Sequence, residues 1–436
     1  MIGIVISTFN RPEYLSQCFE SIKMAEIPND TLIVIVDDKS TDKETLKLIK
    51  EFNVPNCEVV KITNKKNSSI KFSLQVGFEY CFNKECKYVM NLDGDAIVNN
   101  LFVIQLINLK KLFPKHIVTG FNCNTKNNDG SSRHKVLEDF GSCNFKKSVG
   151  GINMLLEKEQ YDIYIKPVLI NCLKNGGNWD HKSCLKSFND GYAVVCCAPS
   201  VVQHIGISSA MGHTVSEQPD TADDFKPLTL TNVTLIGVDC VDLDRLIKAA
   251  DICCENINFQ SVKLLSSLYS LDERVSYIEP ICSTDSYSNF VLKQINNYID
   301  TPYFLLFQHD GFVLNYKSWK KEFLNYDYIG AVWRWLKGKH KVGNGGFSLR
   351  SKKLHKILQK DDTIILKKDQ SGNTPCDYNI CKIYRTYLEE KYNINFAPEK
   401  LAEQFSIEAY KSKDNKYTDQ FGFHGYNVIL PKGYKI

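Results

Sequence analysis

The stretch Tyr88-Val89-Met90-Asn91-Leu92-Asp93-Gly94-Asp95-Ala96 is an apolar run closed by two aspartates one residue apart. A strand that buries Val89, Met90 and Leu92 carries Asp93 and Asp95 out at its carboxyl end. That is the edge at which open α/β sheets bind ligands. Two carboxylates there suit a hard divalent cation, which prefers oxygen ligands and bridges substrate phosphates. Asp-Gly-Asp is also ordinary turn chemistry, so the stretch alone leaves a turn and a cation site equally open. Two earlier runs share its design. Residues 2–7 read as a buried strand followed by Thr8-Phe9-Asn10-Arg11-Pro12, with Pro12 opening a helix to Met24. Residues 32–36 read as a second strand ending in Asp37-Asp38-Lys39-Ser40-Thr41-Asp42, ahead of a helix over 45–52. Ser40, Thr41 or Asp42 would cap that helix. Strands alternating with helices imply βαβ units and a parallel sheet.

With 436 residues the chain exceeds what one core usually takes, so two domains are expected. A net charge of +4 is too small to argue for nucleic acid, though a mild basic excess attracts anionic substrates. Residues 1–8 lack a basic n-region and read as a first strand rather than a signal peptide. No run of about 18 apolar residues predicts a transmembrane segment. The 16 cysteines are scattered without C-x-x-C pairs at zinc spacing, which suits reduced, buried thiols in a cytosolic protein.

Taken together, Ile4 to Pro12, Val36 to Asp42 and Asn91 to Asp95 resemble a family 2 glycosyltransferase of the GT-A fold. That family opens with a strand and a Thr-x-x-Arg type turn, then an Asp-Asp-x-Ser-Thr-Asp turn, then an Asp-x-Asp metal motif. All three occur here in order and at compatible spacing. The resemblance implies that Thr8 and Arg11 lie near a nucleotide, Asp37 and Asp38 near uracil or ribose, and Asp93 and Asp95 at the diphosphate and its Mn2+ or Mg2+.

Residues 122–144 are polar and read as a mobile loop over the site. Gly150 and Gly151 follow. Similar glycosyltransferases place a Gly-Gly strand at the acceptor side, and a plain tight turn is the alternative. Asn178-Trp179-Asp180-His181 opens a helix with Leu185 and Phe188 expected on its buried side. Asp180 could simply charge that helix N-terminus, whereas in the resembling family a carboxylate here is the catalytic base. A late histidine commonly supplies a further metal ligand in GT-A enzymes. His204 fits that slot by order, and His213 competes with it.

A polar, aperiodic stretch around 216–224 places a boundary near 220–228, giving domains 1–222 and 229–436. The second half restarts with a strand at 233–239, a helix at 243–254, a segment at 276–280 and a helix at 287–298. Residues 303–311 repeat the opening design: an apolar strand, then Asp310 and Gly311. Gly345-Gly346, Asp377 at a helix start and a late His424 follow in the same order as Gly150-Gly151, Asp180 and His204. This order implies a second GT-A-like domain, either a diverged duplication or a fused relative. Residues 233–425 also resemble a domain of unknown function often fused to glycosyltransferases, carried by 307–315, 326–331, 343–351 and 421–425. The second half has no Asp-Asp-x-Ser-Thr turn, and its metal motif keeps one Asp, with His309 before it. Trp319, Trp333 and Trp335 read equally as a sugar-stacking wall or as core.

The expected fold class is therefore α/β with two tandem GT-A-like domains. The expected activity is metal-dependent sugar transfer from a nucleotide-sugar, UDP-linked by preference, to a glycan or lipid-linked acceptor with inversion. Asp180 would be its base, and Asp93, Asp95 and His204 would hold the cation. In the second half the expected roles are base for Asp377, cation ligands for Asp310 and His424, and acceptor contact for Gly345 and Gly346. Peripheral attachment to a membrane is compatible with such acceptors. Three rivals stand beside this reading: one active domain with a C-terminal acceptor-binding domain, a binding protein without turnover, and a nucleotidyltransferase.

Overall fold

A computed structural model describes residues 1–127, 129–206, 220–408 and 417–430. His213 lies outside the described residues. The chain forms two compact units, Met1–Pro227 and Leu228–Ile436.

In the first unit, β1 (Ile2–Thr8), β2 (Thr31–Asp37), β3 (Glu58–Thr63) and β4 (Tyr88–Asp93) run parallel in the order β3-β2-β1-β4. Every residue of β1 and β2 is buried, as expected for strands covered on both faces. The period of two sorts their side chains. Ile2, Ile4, Ile6, Ile33 and Ile35 pack with Leu15, Phe19 and Ile22 of helix Pro12–Met24. Val5, Leu32, Val34 and Val36 pack on the other face with Leu74, Phe78 and Cys81 of helix Ile70–Asn83. After β5 (Ala96–Val98) the sheet continues beyond β4 through β9 (Leu155–Leu156), β6 (Ile117–Thr119), β10 (Val194–Cys197), β8 (Cys143–Lys146) and β7 (Val136–Asp139). β11 (Val202–His204) pairs antiparallel with β5.

The second unit repeats the first half of this plan. β12 (Leu228–Val238), β13 (Ile257–Ser266), β14 (Val275–Tyr277) and β15 (Tyr303–Phe307) are parallel in the order β14-β13-β12-β15. β17 (Phe347–Ser351) joins β15 antiparallel, and β16 (Tyr328–Ile329) pairs with β17. β18 (Ser406–Glu408) and β19 (Gly422–His424) form a separate parallel pair. Sides alternate here too: Val233 and Leu235 pack with Leu243, Leu246 and Ala249 of helix Leu243–Cys254, while Ile236 and Val238 pack with Phe290 and Val291 of helix Thr284–Lys293.

Several sequence expectations change. The stretch 122–144 is not loop throughout, because β7 and the start of β8 extend the sheet edge. The sequence pattern does not mark β13, whose residues alternate in burial only loosely. The helix expected at 287–298 is Thr284–Lys293 followed by a short turn of helix, Ile295–Tyr298. Helix Trp179–Asn189 buries Trp179, Ser183, Cys184 and Ser187 instead of Leu185 and Phe188. Among the described residues, no helix is long and apolar enough to cross a membrane.

Candidate active site

Thr8, Asp37 and Asp93 end three neighbouring parallel strands, with Thr8 opposite Asp37 and Ser7 opposite Asp93. The two turns beyond β1 and β2 are tied together. Asn10 and Arg11 both adopt left-handed backbone. Asn10 Oδ1 accepts the Thr41 and Asp42 amides, both at 3.0 Å, and its own amide donates to Ser40 Oγ at 2.8 Å. Asp42 caps helix Lys43–Glu51 through the Thr45 amide.

The two carboxylates at the end of β2 do different work. Asp38 is spent on structure: its oxygens accept Asn64 Nδ2 at 2.7 Å and the Ser68 and Ser69 amides at 2.9 and 2.8 Å, which fixes the entry to helix Ile70–Asn83. Asp37 accepts the Ser40 amide on Oδ1, and its buried Oδ2 has no partner among the described residues.

Asp93, Asp95, Asp180 and His204 come together beyond β4. Asp93 Oδ1 is buried and without a hydrogen-bond partner among the described residues. Burial first, then the neighbouring Asp95 and Asp180, push the Asp93 carboxyl well above the usual range. Burial acts on Asp95 in the same direction, but His204 and Arg11 outweigh it and hold that carboxyl low. Arg11 Nη1 donates to Asp95 Oδ2 at 2.7 Å, and the guanidinium lies 4.4 Å over the Tyr14 ring. His204 Nε2 lies 3.4 Å from the same oxygen. Its Nδ1 faces the Asp220 carbonyl at 3.3 Å. A carbonyl only accepts, so Nδ1 carries the proton and Nε2 is the atom turned toward Asp95. Burial opposes the imidazolium, yet Asp95 raises the His204 pKa overall.

Gly150 and Gly151 form a turn ahead of β9 instead of a strand. Asn91, inside β4, holds that turn: its Nδ2 donates to the Gly151 carbonyl at 2.6 Å and its Oδ1 accepts the Met154 amide at 3.0 Å. A Cβ on Gly151 would lie 2.6 Å from Trp179 Cζ2 and 3.0 Å from Asp180 Cβ. The bare backbone lets the Gly151 amide donate to Asp180 Oδ2 at 2.9 Å, while Asp180 Oδ1 accepts the His181 amide at 2.8 Å. Each Asp180 oxygen thus keeps acceptor capacity on a half-buried carboxylate.

A carboxylate with a buried, unpartnered oxygen, a second carboxylate beside it and a ring nitrogen aimed at the pair form a donor set that fits a hard divalent cation. Asp93, Asp95 and His204 would hold it. A second group, Cys123, His134 and Asp220, has its ligand atoms within 4.8 Å of one another. There Arg133 Nη1 already pairs with Asp220 Oδ1 at 2.6 Å.

In the second unit, Gln308, Asp310, Gly345, Gly346, Asp377 and His424 converge. His424 Nε2 lies 3.6 Å from Asp310 Oδ1 and 3.1 Å from Gln308 Oε1. Its Nδ1 lies 3.4 Å from Glu408 Oε1. A Cβ on Gly346 would fall 2.0 Å from His424 Nε2, and one on Gly345 would fall 3.3 Å from Asp377 Cγ. Burial, then Glu408, raises the Asp377 carboxyl, with Arg350 opposing. The tryptophans divide. Trp319 packs among Phe323 and Phe421, Trp333 is buried, and Trp335, 46% exposed, stacks on Tyr378.

Comparison with known proteins follows this division into halves. Residues 3–163 match the sequence model of glycosyl transferase family 2. The N-terminal half carries a family 2 glycosyl transferase domain. Residues 274–424, in the C-terminal half, match a protein family of unknown function (DUF5672). A curated relative from Methanococcus voltae is dolichyl N-acetyl-alpha-D-glucosaminyl phosphate 3-beta-D-2,3-diacetamido-2,3-dideoxy-beta-D-glucuronosyltransferase. It is 37% identical over 100 residues, which is 22% of this chain and 27% of that protein. The match thus spans about a quarter of the relative's length. Among solved structures, S. aureus TarS 1-349 in complex with UDP-GlcNAc is 12% identical with a TM-score of 0.37, covering 48% of this chain and 61% of that one. GalNAc-T7 with UDP, GalNAc and Mn2+ is 15% identical with a TM-score of 0.37, covering 47% of this chain and 43% of that one.

Around the family 2 domain's strand ends, sequence reading passed over Asn91, Asp220 and the Cys123–His134 pair. In the other unit it passed over Gln308 and Glu408. Gln308 had a readable signal, since Gln308-His309-Asp310 keeps the spacing of Asp93-Gly94-Asp95.

Proposed function

We propose that the N-terminal unit transfers a sugar from a nucleotide-sugar, UDP-linked by preference, to a hydroxyl acceptor with inversion. The observation that carries this reading is the buried Asp93 oxygen, unpartnered among the described residues, at a strand end that also gathers Asp95, Asp180 and His204. The relative's name, a glucuronosyltransferase acting on a dolichyl-linked sugar phosphate, favours a glycan or lipid-linked acceptor.

Each residue has a chemical part. Asp37 Oδ2, without a partner among the described residues, is the acceptor for a ribose hydroxyl or a base edge, and Thr8 stands opposite it. Asp38 keeps that turn in shape. Arg11, held in place by Asp95 and Tyr14, supplies positive charge beside the diphosphate position. When bound, a Mn2+ or Mg2+ ion neutralises charge on the leaving diphosphate, a contribution of several kcal/mol. Asp180 accepts the proton of the acceptor hydroxyl as its oxygen bonds to the anomeric carbon and the bond to the nucleoside diphosphate breaks. One direct displacement inverts that carbon. The Gly150-Gly151 turn lets the acceptor approach, with the Gly151 amide orienting Asp180.

The full chain should be assayed with UDP-, GDP- and dTDP-sugars and Mn2+ for release of nucleoside diphosphate. Hydrolysis of one donor, abolished by chelation, is expected. No turnover with any donor would sink the enzyme reading. Pyrophosphate release from a nucleoside triphosphate and a sugar phosphate would assign the site to nucleotidyl transfer.

A further inference from the structure

Backbone pairing gives a residue-by-residue correspondence between the two strand ends. The amide after each late histidine donates to the carbonyl of the strand-end aspartate: Ile205 to Asp95 at 2.9 Å and Gly425 to Asp310 at 2.8 Å. Asp310 therefore stands where Asp95 stands, and His424 where His204 stands. Counting back two residues, Gln308 occupies the place of Asp93. The neutral amide removes one of the two carboxylates that flank the motif in the first unit.

The lost charge reappears elsewhere. Behind His204 stands a backbone carbonyl, that of Asp220. Behind His424 stands a carboxylate, Glu408, paired with it in strand register. A carboxylate on Nδ1 fixes the ring's tautomer and makes Nε2 a better donor, the usual arrangement behind metal-bound histidines. Gln308 Nε2 donates to Tyr287 Oη at 3.0 Å, which turns Oε1 toward His424 Nε2. Gly346 leaves room for the ring itself.

We propose that the end of β15 is a second divalent-cation centre, with Asp310, Gln308 and His424 as ligands and Glu408 as the carboxylate that sets the His424 ring. Its remaining positions would take oxygens of a phosphate-bearing ligand. The centre goes beyond the transfer proposed for the N-terminal unit and does not depend on it.

Mn2+ titration of the full chain, followed by loss of the free-ion electron paramagnetic resonance signal, tests this with and without UDP. Two ions per chain are expected, one removed by Asp95→Asn and the other by Asp310→Asn. Glu408→Gln should weaken the Asp310-dependent ion by about 10–100-fold. Gln308→Glu adds a carboxylate without deleting a side chain and should tighten the same ion, so the test survives if another variant misfolds. An ion count untouched by Asp310→Asn under both conditions overturns the centre. An Asp310-dependent ion whose affinity moves less than about twofold in Glu408→Gln overturns the role of Glu408. Failure of Asp95→Asn to remove an ion bears on the N-terminal reading alone.

Discussion

At the end of β4 two carboxylates flank a glycine, and beside them Thr8 and Asp37 end β1 and β2, with an oxygen of Asp37 left open among the described residues. At the end of β15 one carboxylate is exchanged for Gln308, and the neighbouring strands end differently. Register puts Asp239 at the place of Thr8 and Ser266 at the place of Asp37. Asp239 is not open: Arg245 Nε donates to its Oδ2 at 2.8 Å, and its Oδ1 accepts the Val241 and Asp242 amides. The second unit thus repeats the aspartate, the glycine pair, the helix-start aspartate and the histidine, and closes the neighbouring strand end with an ion pair. On the proposed reading, the cation centre and the nucleoside-contact surface are separable parts of one sheet edge, and only the proposed cation centre has a counterpart in the second unit.

Asp180→Asn should produce the largest effect. Removing the acceptor of the hydroxyl proton is expected to slow transfer by about 10²–10⁴-fold. UDP affinity, measured by calorimetry, should hold because Asn still accepts the Gly151 amide. Loss of UDP binding together with rate would make Asp180 a structural cap. Next in size is Gly346→Ala. Its Cβ would lie 2.0 Å from the His424 ring, against 2.6 Å from the nearest Trp179 atom for Gly151→Ala. Overpacking of this kind costs about 1–3 kcal/mol. Thermal melts should rank Gly346→Ala as the more damaging, and equal melting temperatures would break the argument that the second glycine is reserved for the ring.

The buried strands were legible because their residues are apolar without interruption. Pro12 marked the start of the first helix, and the amphipathic pattern marked Leu243–Cys254. The order of site residues was legible in both halves because the strand-end aspartates and the late histidines sit next to a glycine or an apolar run, while Asp180 and Asp377 stand at helix starts. What escaped has physical reasons. β7 is fully exposed, so it has no burial pattern to read. Beyond Trp179, helix Trp179–Asn189 packs through serines and a cysteine, and Leu185 and Phe188 stay half-buried. Asp220 serves His204 through its backbone carbonyl, which any residue carries. Glu408 reaches His424 only because two three-residue strands pair, a contact with no local signature.

Exchanging the residues that differ sharpens the comparison further. Gln308→Asp gives the second unit the Asp-x-Asp arrangement of the first. Added ligand charge tunes cation affinity, so Mn2+ should bind there about tenfold tighter. Asp93→Gln makes the reverse change and should weaken Mn2+ in the first unit. If both substitutions leave affinity unmoved, the position two residues before the strand-end aspartate is not a ligand in either unit.

The smallest effect concerns the ion pair that replaces the open strand end. The Asp239 carboxyl is buried, which works upward, but Arg245 and the two amides outweigh burial and hold its pKa low. A carboxyl whose folded pKa lies below its unfolded value of about 3.9 stabilises the fold above that pH. The contribution is lost as pH falls through the folded value. Asp239→Asn should therefore destabilise the protein at neutral pH, and the gap to wild type should close on acidification below about pH 4. Arg245 is partly exposed, so solvent screening keeps the gap under about 1 kcal/mol. Urea melts at pH 7 and at about pH 3 would read it. A gap that widens toward acid would mean that the Asp239 carboxyl titrates above its unfolded value, held low by neither Arg245 nor the amides. The second unit would then have lost its nucleoside-side surface through the strand ending itself, with no part played by the charge that fills it.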